Sequence, residues 1–257
     1  MNVSVQSNVE SVTKALKGLE KQIRFASVKA MNKCAEQAQS ELRVEMTRAL
    51  DRPTRWTLDA SRIVRATTNR AYADVFLKNR RGRPADKDTN ELYTQVFGGA
   101  RGRKPFETRL LRAGVLRSNE YTVPAKGLQL DAYGNVPAGL IRSILSQLQA
   151  ASGPGYDSNA SGSARSRRTV SRVGTIFVSR GVSTGAGLPR GIYQRRAIGT
   201  GPRGGRRYGY RMLLKIVTGR PRYGSRLRMF EVARRVIARD FEREFQRELA
   251  LAIQSAR

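Results

Sequence analysis

The sequence contains no histidine and a single cysteine, and few of its residues are acidic. Without histidine, a Ser-His-Asp or Cys-His catalytic relay cannot form, and metal sites with histidine ligands are excluded. One cysteine cannot form a disulfide within the chain, so nothing in the sequence points to an oxidising compartment. Catalysis by carboxylates or by lysine is the chemistry that these absences leave open.

Long hydrophobic runs are also missing, and apolar residues make up only 39% of the 257-residue chain. No run approaches the roughly 20 residues that a transmembrane helix needs, so the sequence predicts no membrane span. The first residues, MNVSVQSNVES, have neither a basic start nor an apolar stretch. We therefore expect no signal peptide and a protein that acts in the cytoplasm of the cell that makes it.

Basic residues outnumber acidic ones: 49 Lys and Arg stand against 20 Asp and Glu, which gives a formal net charge of +29. Arginine supplies 39 of the basic residues. A compact protein with so much charge of one sign repels itself unless anions lie nearby. The composition therefore predicts an anionic partner, which could be nucleic acid, a membrane surface or an acidic protein.

A long N-terminal helix is predicted over residues 8–50, before Pro53. Its apolar stripe recurs at three- and four-residue steps: Val12, Leu16, Leu19, Ile23, Ala26, Ala30, Cys34, Ala38 and Leu42. At about 1.5 Å per residue such a helix spans roughly 60 Å, more than one small domain covers. Three alternatives follow: a bent core helix, a break near Gly18, or a stripe that packs on another subunit through Leu16, Leu19 and Ile23.

The remaining patterns predict an α+β fold with a small antiparallel sheet between the long helix and a C-terminal helix. They indicate a hairpin over 62–78, helical segments within 89–116, an extended YTVP at 121–124, a helix after Pro137, strands at 175–179 and 212–217, and a helix over 228–253. Trp56, just after the first helix, is expected to anchor core packing.

The composition changes at residue 150, and 151–172 consists mainly of Ser, Gly, Ala and Arg. A segment with so few apolar side chains is expected to stay mobile until a partner orders it. We therefore predict three regions: 1–150 as the long helix with an α+β core, 151–211 as a partly mobile basic insertion rich in Gly, Ser and Arg, and 212–257 as the strand and helix that complete the core.

No motif points to an enzyme. The glycine-rich GPRGGRRYG at 201–209 lacks the lysine of a phosphate-binding loop, and the scattered acidic residues form no pair typical of a nuclease metal site. On the C-terminal helix Asp240, Glu242, Glu244 and Glu248 alternate with arginines, which is typical of a solvated face with ion pairs. The sequence predicts no catalytic, cofactor-binding or metal-binding residue, and no cofactor.

Arginine clusters are the candidate contact sites, because the planar guanidinium binds phosphate through two hydrogen bonds. The candidates for contacts with DNA or a partner are Arg80, Arg81, Arg83, Arg101, Arg103, Arg203, Arg206 and Arg207. A further cluster comprises Arg165, Arg167 and Arg168. Tyr208 and Tyr210 beside the last pair of candidates could stack on bases. Equally, the arginines could form solvated loops that pair with acidic neighbouring subunits.

The order of several segments resembles the minor tail protein Z-like and related tail-completion or neck proteins of tailed bacteriophages. The segments are RPTRWTL at 52–58, YADVFLK at 72–78, ELYTQVFGGARGRKPFETRLLRAGVL at 91–116, YTVPAKGLQLDAYGNVPAGLIRSILSQL at 121–148 and GLPRGIYQR at 187–195, followed by the closing strand and helix. The likeness covers most of the chain apart from about 151–172. None of these segments carries catalytic residues.

The resemblance implies a non-enzymatic head–tail connector component of the virion, assembled in the host cytoplasm. It implies a homo-oligomeric ring, six- or twelve-fold, around the channel through which the genomic DNA passes. Virion proteins on the connector or portal side and on the tail side would be its neighbours, with no membrane involved. The alternative from the residues alone is a sequence-nonspecific nucleic-acid-binding protein, ribosomal or nucleoid-like, which would also account for the charge.

Overall fold

A computed structural model of the chain describes residues 9–79, 92–153, 156–181, 187–200 and 204–255. In chain order the elements are α1 Val9–Ala49, α2 Arg55–Leu58, β1 Ser61–Val64, β2 Asp74–Leu77, α3 Tyr93–Phe97, β3 Gly99–Ala100, α4 Pro105–Arg112, β4 Glu120–Pro124, α5 Ala138–Gln147, β5 Ser152–Gly153, β6 Tyr156–Asp157, α6 Ala164–Val173, β7 Thr175–Ser179, β8 Gly191–Thr200, β9 Arg206–Thr218, β10 Arg222–Tyr223 and α7 Met229–Ser255. The long terminal helices and small antiparallel sheets confirm the predicted α+β class.

The chain forms two compact units. Unit 1 comprises residues 1–98 and 224–257, and unit 2 comprises 99–223. This division differs from the predicted boundary at residue 150. The reason is strand pairing, because β4 lies before that boundary and pairs with β9 beyond it, in one sheet of order β4-β9-β8-β7. Residues 151–211 therefore supply strands of the unit 2 sheet and are not an insertion into a core made elsewhere.

Unit 1 is built on the antiparallel pair of α1 and α7. The ion pairs show the antiparallel direction, because Glu41 bonds to Arg239 while Lys33 lies near Glu248. Both helices bury one residue in four. On α1 these are Ala26, Ala30, Cys34, Ala38, Leu42 and Met46, and on α7 they are Val232, Val236, Asp240, Glu244, Glu248 and Ala252. α1 runs unbroken through Gly18, so the break that the sequence allowed is not present.

The predicted hairpin is confirmed as β1 and β2, which pair antiparallel and pack beside α1. Asn32 of α1 fixes the end of this hairpin, because its side-chain amide both donates to the Ala66 carbonyl and accepts from the Ala66 N–H. Trp56 on α2 is 43% exposed, so the expectation that it anchors the core is wrong. The core beside α2 is filled instead by aliphatic residues such as Leu42, Met46 and Leu77.

Unit 2 is a four-stranded antiparallel sheet with helices on one face. Alternate strand residues point to that face and form its core with α4 and α5; they include Ile176, Ile192, Leu214 and Ile216, against Leu110, Ile144 and Leu145. α6 follows in a segment predicted to be mobile. It begins at Ser163, whose hydroxyl accepts the Ser166 N–H at 3.2 Å, and the partly buried Val173 at its end packs against the core. A helix cap and one apolar contact therefore give this segment structure.

Candidate nucleic-acid interface

Unit 2 carries most of the positive charge. Residues 99–223 contain 20 arginines and three lysines against four acidic residues, so the unit contributes +19 of the +29. The four acids are Glu107, Glu120, Asp131 and Asp157. The structure shows how each is used, and that decides how much basic charge the unit leaves for an external anion.

Glu107 and Arg101 form a buried ion pair. The Arg101 guanidinium donates two hydrogen bonds of 2.7 Å to the Glu107 carboxylate, and another of 3.0 Å to the Thr122 carbonyl. Glu107 is fully buried, while Arg101 is 7% exposed. The prediction that Arg101 contacts DNA or a partner is therefore wrong. Its charge already has a partner, and its guanidinium lies inside the unit.

Burial raises the pKa of Glu107, but hydrogen bonds outweigh that effect. Besides Arg101, the carboxylate accepts the backbone N–H groups of Lys104 and Thr122 and the Thr122 hydroxyl, each at 2.8 Å. These donors hold the pKa below its ordinary value of 4.5, so the side chain is ionised at neutral pH. Because Glu107 sits in the first turn of α4 and reaches the strand β4, the pair joins helix to sheet.

Glu120 also forms an ion pair inside unit 2, in this case with Arg190. Its buried carboxylate accepts a hydrogen bond of 2.7 Å from Arg190, which lowers the pKa of Glu120. Arg103, another predicted contact residue, is half-buried and donates to the carbonyls of Ser118 and Glu120 at 2.7 Å each. Its guanidinium also lies 4.4 Å from the Tyr121 ring centroid. Arg103 thus supports the end of β4.

The two remaining acids cap turns. Asp131 accepts the N–H groups of Tyr133 and Asn135, and Asp157 accepts that of Asn159. With the two buried pairs set aside, unit 2 presents 21 basic residues against these two acids. Charge on this scale cannot be neutralised within the unit, so its surface is suited to an anionic ligand.

The most prominent basic feature is the distal part of the β8–β9 hairpin, which we call the basic ribbon: residues 195–200 and 206–211. The last residue of β8 that pairs with β7 is Arg195, opposite Thr175. The pairing of β9 with β4 starts only at Leu214. Beyond Arg195, five more residues of β8 continue as a two-stranded ribbon that extends roughly 17 Å past β7.

Arginine side chains occupy both faces of the basic ribbon. Neighbouring residues on a strand point to opposite faces, so Arg206 and Arg207 put one exposed guanidinium on each side. Nearer the sheet, Arg196 donates to the Val173 carbonyl at 3.0 Å and Arg211 to the Gly127 carbonyl at 2.9 Å. The base of the ribbon is therefore held to unit 2 while its end projects into solvent.

Comparisons with known proteins yield no relatives: no family model matches the chain, and neither a curated protein nor a solved structure matches it significantly. Among the described helices, none has both the length and the apolar character needed to cross a membrane. The candidate interface therefore rests on the geometry and charge of unit 2 alone.

Of the predicted contact arginines, the structure brings Arg206 and Arg207 together on the basic ribbon. Arg101 is buried inside unit 2, and Arg103 bonds to carbonyl groups at the start of β4, as described above. Arg80, Arg81, Arg83 and Arg203 lie outside the described residues. Arg206 and Arg207 were predicted as a cluster, but strand β8, which pairs with them and forms the ribbon, was not predicted.

The cluster around residue 165 lies on α6, beside a cleft of about 680 Å³. Arg142 of α5 and Arg165 and Arg172 of α6 line this cleft together with serine and threonine hydroxyls, and none of the described residues that line it is acidic. The cleft extends the basic surface of unit 2 beyond the ribbon.

The proposed self-association residues lie near the start of α1 in unit 1. Leu19 is 43% and Ile23 is 40% exposed, whereas Ala26, next in the same stripe, is fully buried. Phe25 is also exposed, but two residues after Ile23 it lies on another side of the helix. The Leu16 side chain lies outside the described set. At Leu19 and Ile23 the stripe is thus apolar and exposed in the part of the chain that the structure describes.

Of the four acidic residues predicted on a solvated face of α7, only Glu242 is exposed, so that interpretation is wrong for the other three. Asp240, Glu244 and Glu248 are buried, one turn apart, in the stripe that faces α1. The arginines beside them fold back onto the carboxylates: Arg239 lies 2.6 Å and Arg243 2.8 Å from Asp240. The hydrogen bond from Arg239 is the main reason why the pKa of Asp240 is lowered. Glu244 and Glu248 lie 3.8 and 3.6 Å from Lys33 of α1, and Arg239 also bonds to Glu41, so the charged groups of this stripe link α7 to α1.

Proposed function

We propose that the protein is a non-enzymatic virion component of a tailed phage, a ring-forming tail-completion or neck protein around the DNA channel at the head–tail junction. The observation that carries the nucleic-acid part is the basic ribbon on a unit with 21 basic and two acidic residues outside its buried pairs. The phage part follows from the resemblance of the sequence segments. In this proposal unit 2 contacts DNA and α1 of unit 1 joins the copies.

The contacts with DNA are electrostatic and independent of base sequence. Arginines at the end of the basic ribbon reach phosphates from an arm that projects past the sheet, and a two-stranded ribbon is narrow enough to lie in the major groove of duplex DNA. Phosphate contacts of this kind position the protein without selecting a sequence. A channel protein needs contacts of this type, because the DNA has to move past them.

Self-association rests on the exposed start of α1. Leu19 and Ile23 expose large apolar side chains one turn apart on the same side of α1, and exposed apolar patches on proteins mark interaction surfaces. Replacing Leu19 and Ile23 with Asp is expected to abolish assembly, as measured by sedimentation velocity. The circular dichroism spectrum should stay unchanged, which would show that the variant still folds. Normal assembly of this variant would exclude the start of α1 as the interface.

Duplex binding tests the role of the ribbon. With several unrelated duplex sequences, we expect equal affinity and a steep loss with salt. Replacing Arg206 and Arg207 with Ser should make the log–log salt slope shallower by about 1.8 if each contacts one phosphate. The matched control is the replacement of Arg112 and Arg220 with Ser, two exposed arginines of unit 2 outside the ribbon and the α6 cluster, which removes the same charge and should leave the salt slope nearly unchanged.

The rival for the ribbon is an acidic surface on a neighbouring virion protein. If the Arg206→Ser, Arg207→Ser variant binds duplex as the parent does but no longer attaches to the neighbouring virion component, the arginines make protein contacts and the channel role is wrong.

The second candidate function is a sequence-nonspecific nucleic-acid-binding protein, ribosomal or nucleoid-like, which the charge of unit 2 favours equally. Oligomeric state separates the two. A ring component sediments as a closed multimer, alone or with its neighbouring virion protein. A monomer that binds duplex under all conditions supports this second candidate instead.

A further inference from the structure

The sheet of unit 2 has a second face, opposite α4 and α5, that carries aromatic side chains. We propose that this face binds unpaired bases of single-stranded nucleic acid by stacking on Tyr208 and Tyr210. The inference rests on the proposed contact of unit 2 with nucleic acid and adds the strandedness of the ligand, which phosphate contacts alone do not select.

The strand register places the aromatic residues together. Tyr193 on β8 lies opposite Phe177 on β7, and the next two pairs on this side are Arg195 with Tyr210 and Ala197 with Tyr208. Because directly paired residues share a face, and so do residues two apart, all of these side chains point away from the core. We call the five members other than Ala197 the tyrosine face: Phe177, Tyr193, Arg195, Tyr208 and Tyr210.

The inner members of the tyrosine face hold the outer ones in place. Phe177 and Tyr193 stack with ring centroids 5.8 Å apart, and Tyr210 meets the Phe177 ring edge-on at 6.0 Å. Tyr193 is buried, whereas Tyr210 is 55% and Tyr208 is 40% exposed. Tyr210 therefore stands on a packed aromatic base, and the Tyr208 ring lies against the Arg195 guanidinium, so stacking a ligand on them costs little side-chain ordering.

The spacing of the two exposed rings suits separated bases. Tyr208 and Tyr210 lie two residues apart on β9, which corresponds to a rise of about 6.8 Å. This is twice the ~3.4 Å rise per nucleotide along one strand of a duplex. Bases inside a duplex are also covered by their neighbours on both sides. Only a strand whose bases are unpaired and drawn apart can place one base on each ring.

Positive charge accompanies the rings. The Arg195 guanidinium lies 4.8 Å from the Tyr208 ring centroid, and the exposed Lys215 lies on the same side of β9, opposite Val123. Stacking rings flanked by cations are the combination with which proteins bind single strands without reading sequence. Charge complementarity thus favours a nucleic-acid strand over an apolar protein segment on this face.

The test is anisotropy with the full-length protein and two labelled probes at one salt concentration, a 20-nucleotide oligo-dT and a 20-base-pair duplex. Replacing Tyr208 and Tyr210 with Thr, which keeps strand propensity, should weaken oligo-dT binding roughly 25-fold or more. Duplex binding should change less than about twofold, since its phosphate contacts come from other residues. The matched control replaces both tyrosines with Phe and should keep oligo-dT binding, because the rings remain.

Two results would overturn the inference: equal oligo-dT affinity of the Thr variant and the parent, or equal weakening of both probes. Displacement of oligo-dT from the parent by an equal concentration of a polyglutamate peptide would also overturn it, because an acidic protein segment would then be the better ligand. The Arg206→Ser, Arg207→Ser variant keeps the two proposals apart. If it binds duplex normally, the proposed phosphate contacts fail, whatever the tyrosine variants show.

Discussion

Replacing Arg101 with Leu is expected to destabilise unit 2 more than any surface substitution. Glu107 would keep its three donors from Lys104 and Thr122 but lose the guanidinium that balances its charge in a fully buried position. Removing one member of a buried ion pair costs about 3–5 kcal/mol, because the remaining charge has no partner. With a urea m-value of about 2 kcal/mol/M, the midpoint falls by roughly 1.5–2.5 M.

Urea unfolding followed by circular dichroism measures this change, and hydrogen exchange locates it. The amide of Thr122, which donates to Glu107, should exchange faster in the variant. Adding Glu107→Gln to Arg101→Leu removes the buried charge, so the double variant should be more stable than the sum of the single effects predicts.

The stability contribution of the Arg101–Glu107 pair should depend on pH. In the parent the pKa of Glu107 lies below 4.5, so its contribution to stability is present above that pH and is lost as the pH falls through the lowered pKa. Without Arg101, burial raises the pKa of Glu107 in the folded variant. Protonation then removes the unpaired buried charge and restores part of the lost stability. The difference in stability between parent and variant should therefore shrink as the pH falls, first through the raised pKa of Glu107 in the variant and then through its lowered pKa in the parent. A loss under 1 kcal/mol, or one independent of pH, would refute the assignment of this pair as the joint between α4 and β4.

Three further predictions concern other parts of the fold. Burial raises the pKa of the Cys34 thiol, so it should react with a thiol reagent at pH 8 much more slowly in the folded protein than in urea. The pKa values of Asp240 and Glu41 are lowered by hydrogen bonds from Arg239, so the α1–α7 pair should lose stability as the pH falls below about 4, as followed by helical ellipticity. Gly174 has φ of 92° and a Cβ there would lie 2.8 Å from the Arg195 carbonyl oxygen, so Gly174→Ala should cost about 1–3 kcal/mol in urea unfolding.

The long elements were predictable because their periodicity is strong. α1 and α7 begin and end within about two residues of the predicted ranges. Their apolar spacing repeats over several turns, and Pro53 limits α1. The β1–β2 hairpin and the strands at 175–179 and 212–217 followed from short apolar runs of the kind that strands favour.

Strand β8 was not predictable by the same means. Only its first four residues are buried, and the rest, which includes Ala197 and Ile198, is exposed or half-buried because the ribbon extends past its neighbours. The local sequence of this exposed part does not indicate a strand, because its strand conformation depends on pairing with β9. The signal that was present is the matched run of arginines and aromatics on either side of a glycine-rich turn.

The buried carboxylates illustrate a different limit. Acidic residues are usually exposed, so Asp240 and Glu244 were interpreted as part of a solvated face, and the buried position of Glu107 was not predicted. Two signals could have located them. Glu107 stands three residues after Lys104, the N-cap position of α4, where a glutamate satisfies a backbone N–H. Asp240 and Glu244 continue the four-residue step of Val236, which places them on the same buried stripe.

The discontinuity of unit 1 has a consequence for synthesis. Leu42 of α1 shares a core cluster with Val232 of α7, 190 residues later in the chain. At roughly 5–20 residues per second, a ribosome takes about 10–40 s to make that stretch. Throughout this time the small-residue stripe of α1 has no helix to pack on, whereas all of unit 2 is synthesised before α7. Unit 2 can therefore fold first during translation, and unit 1 closes last around a helix that a chaperone has had time to bind.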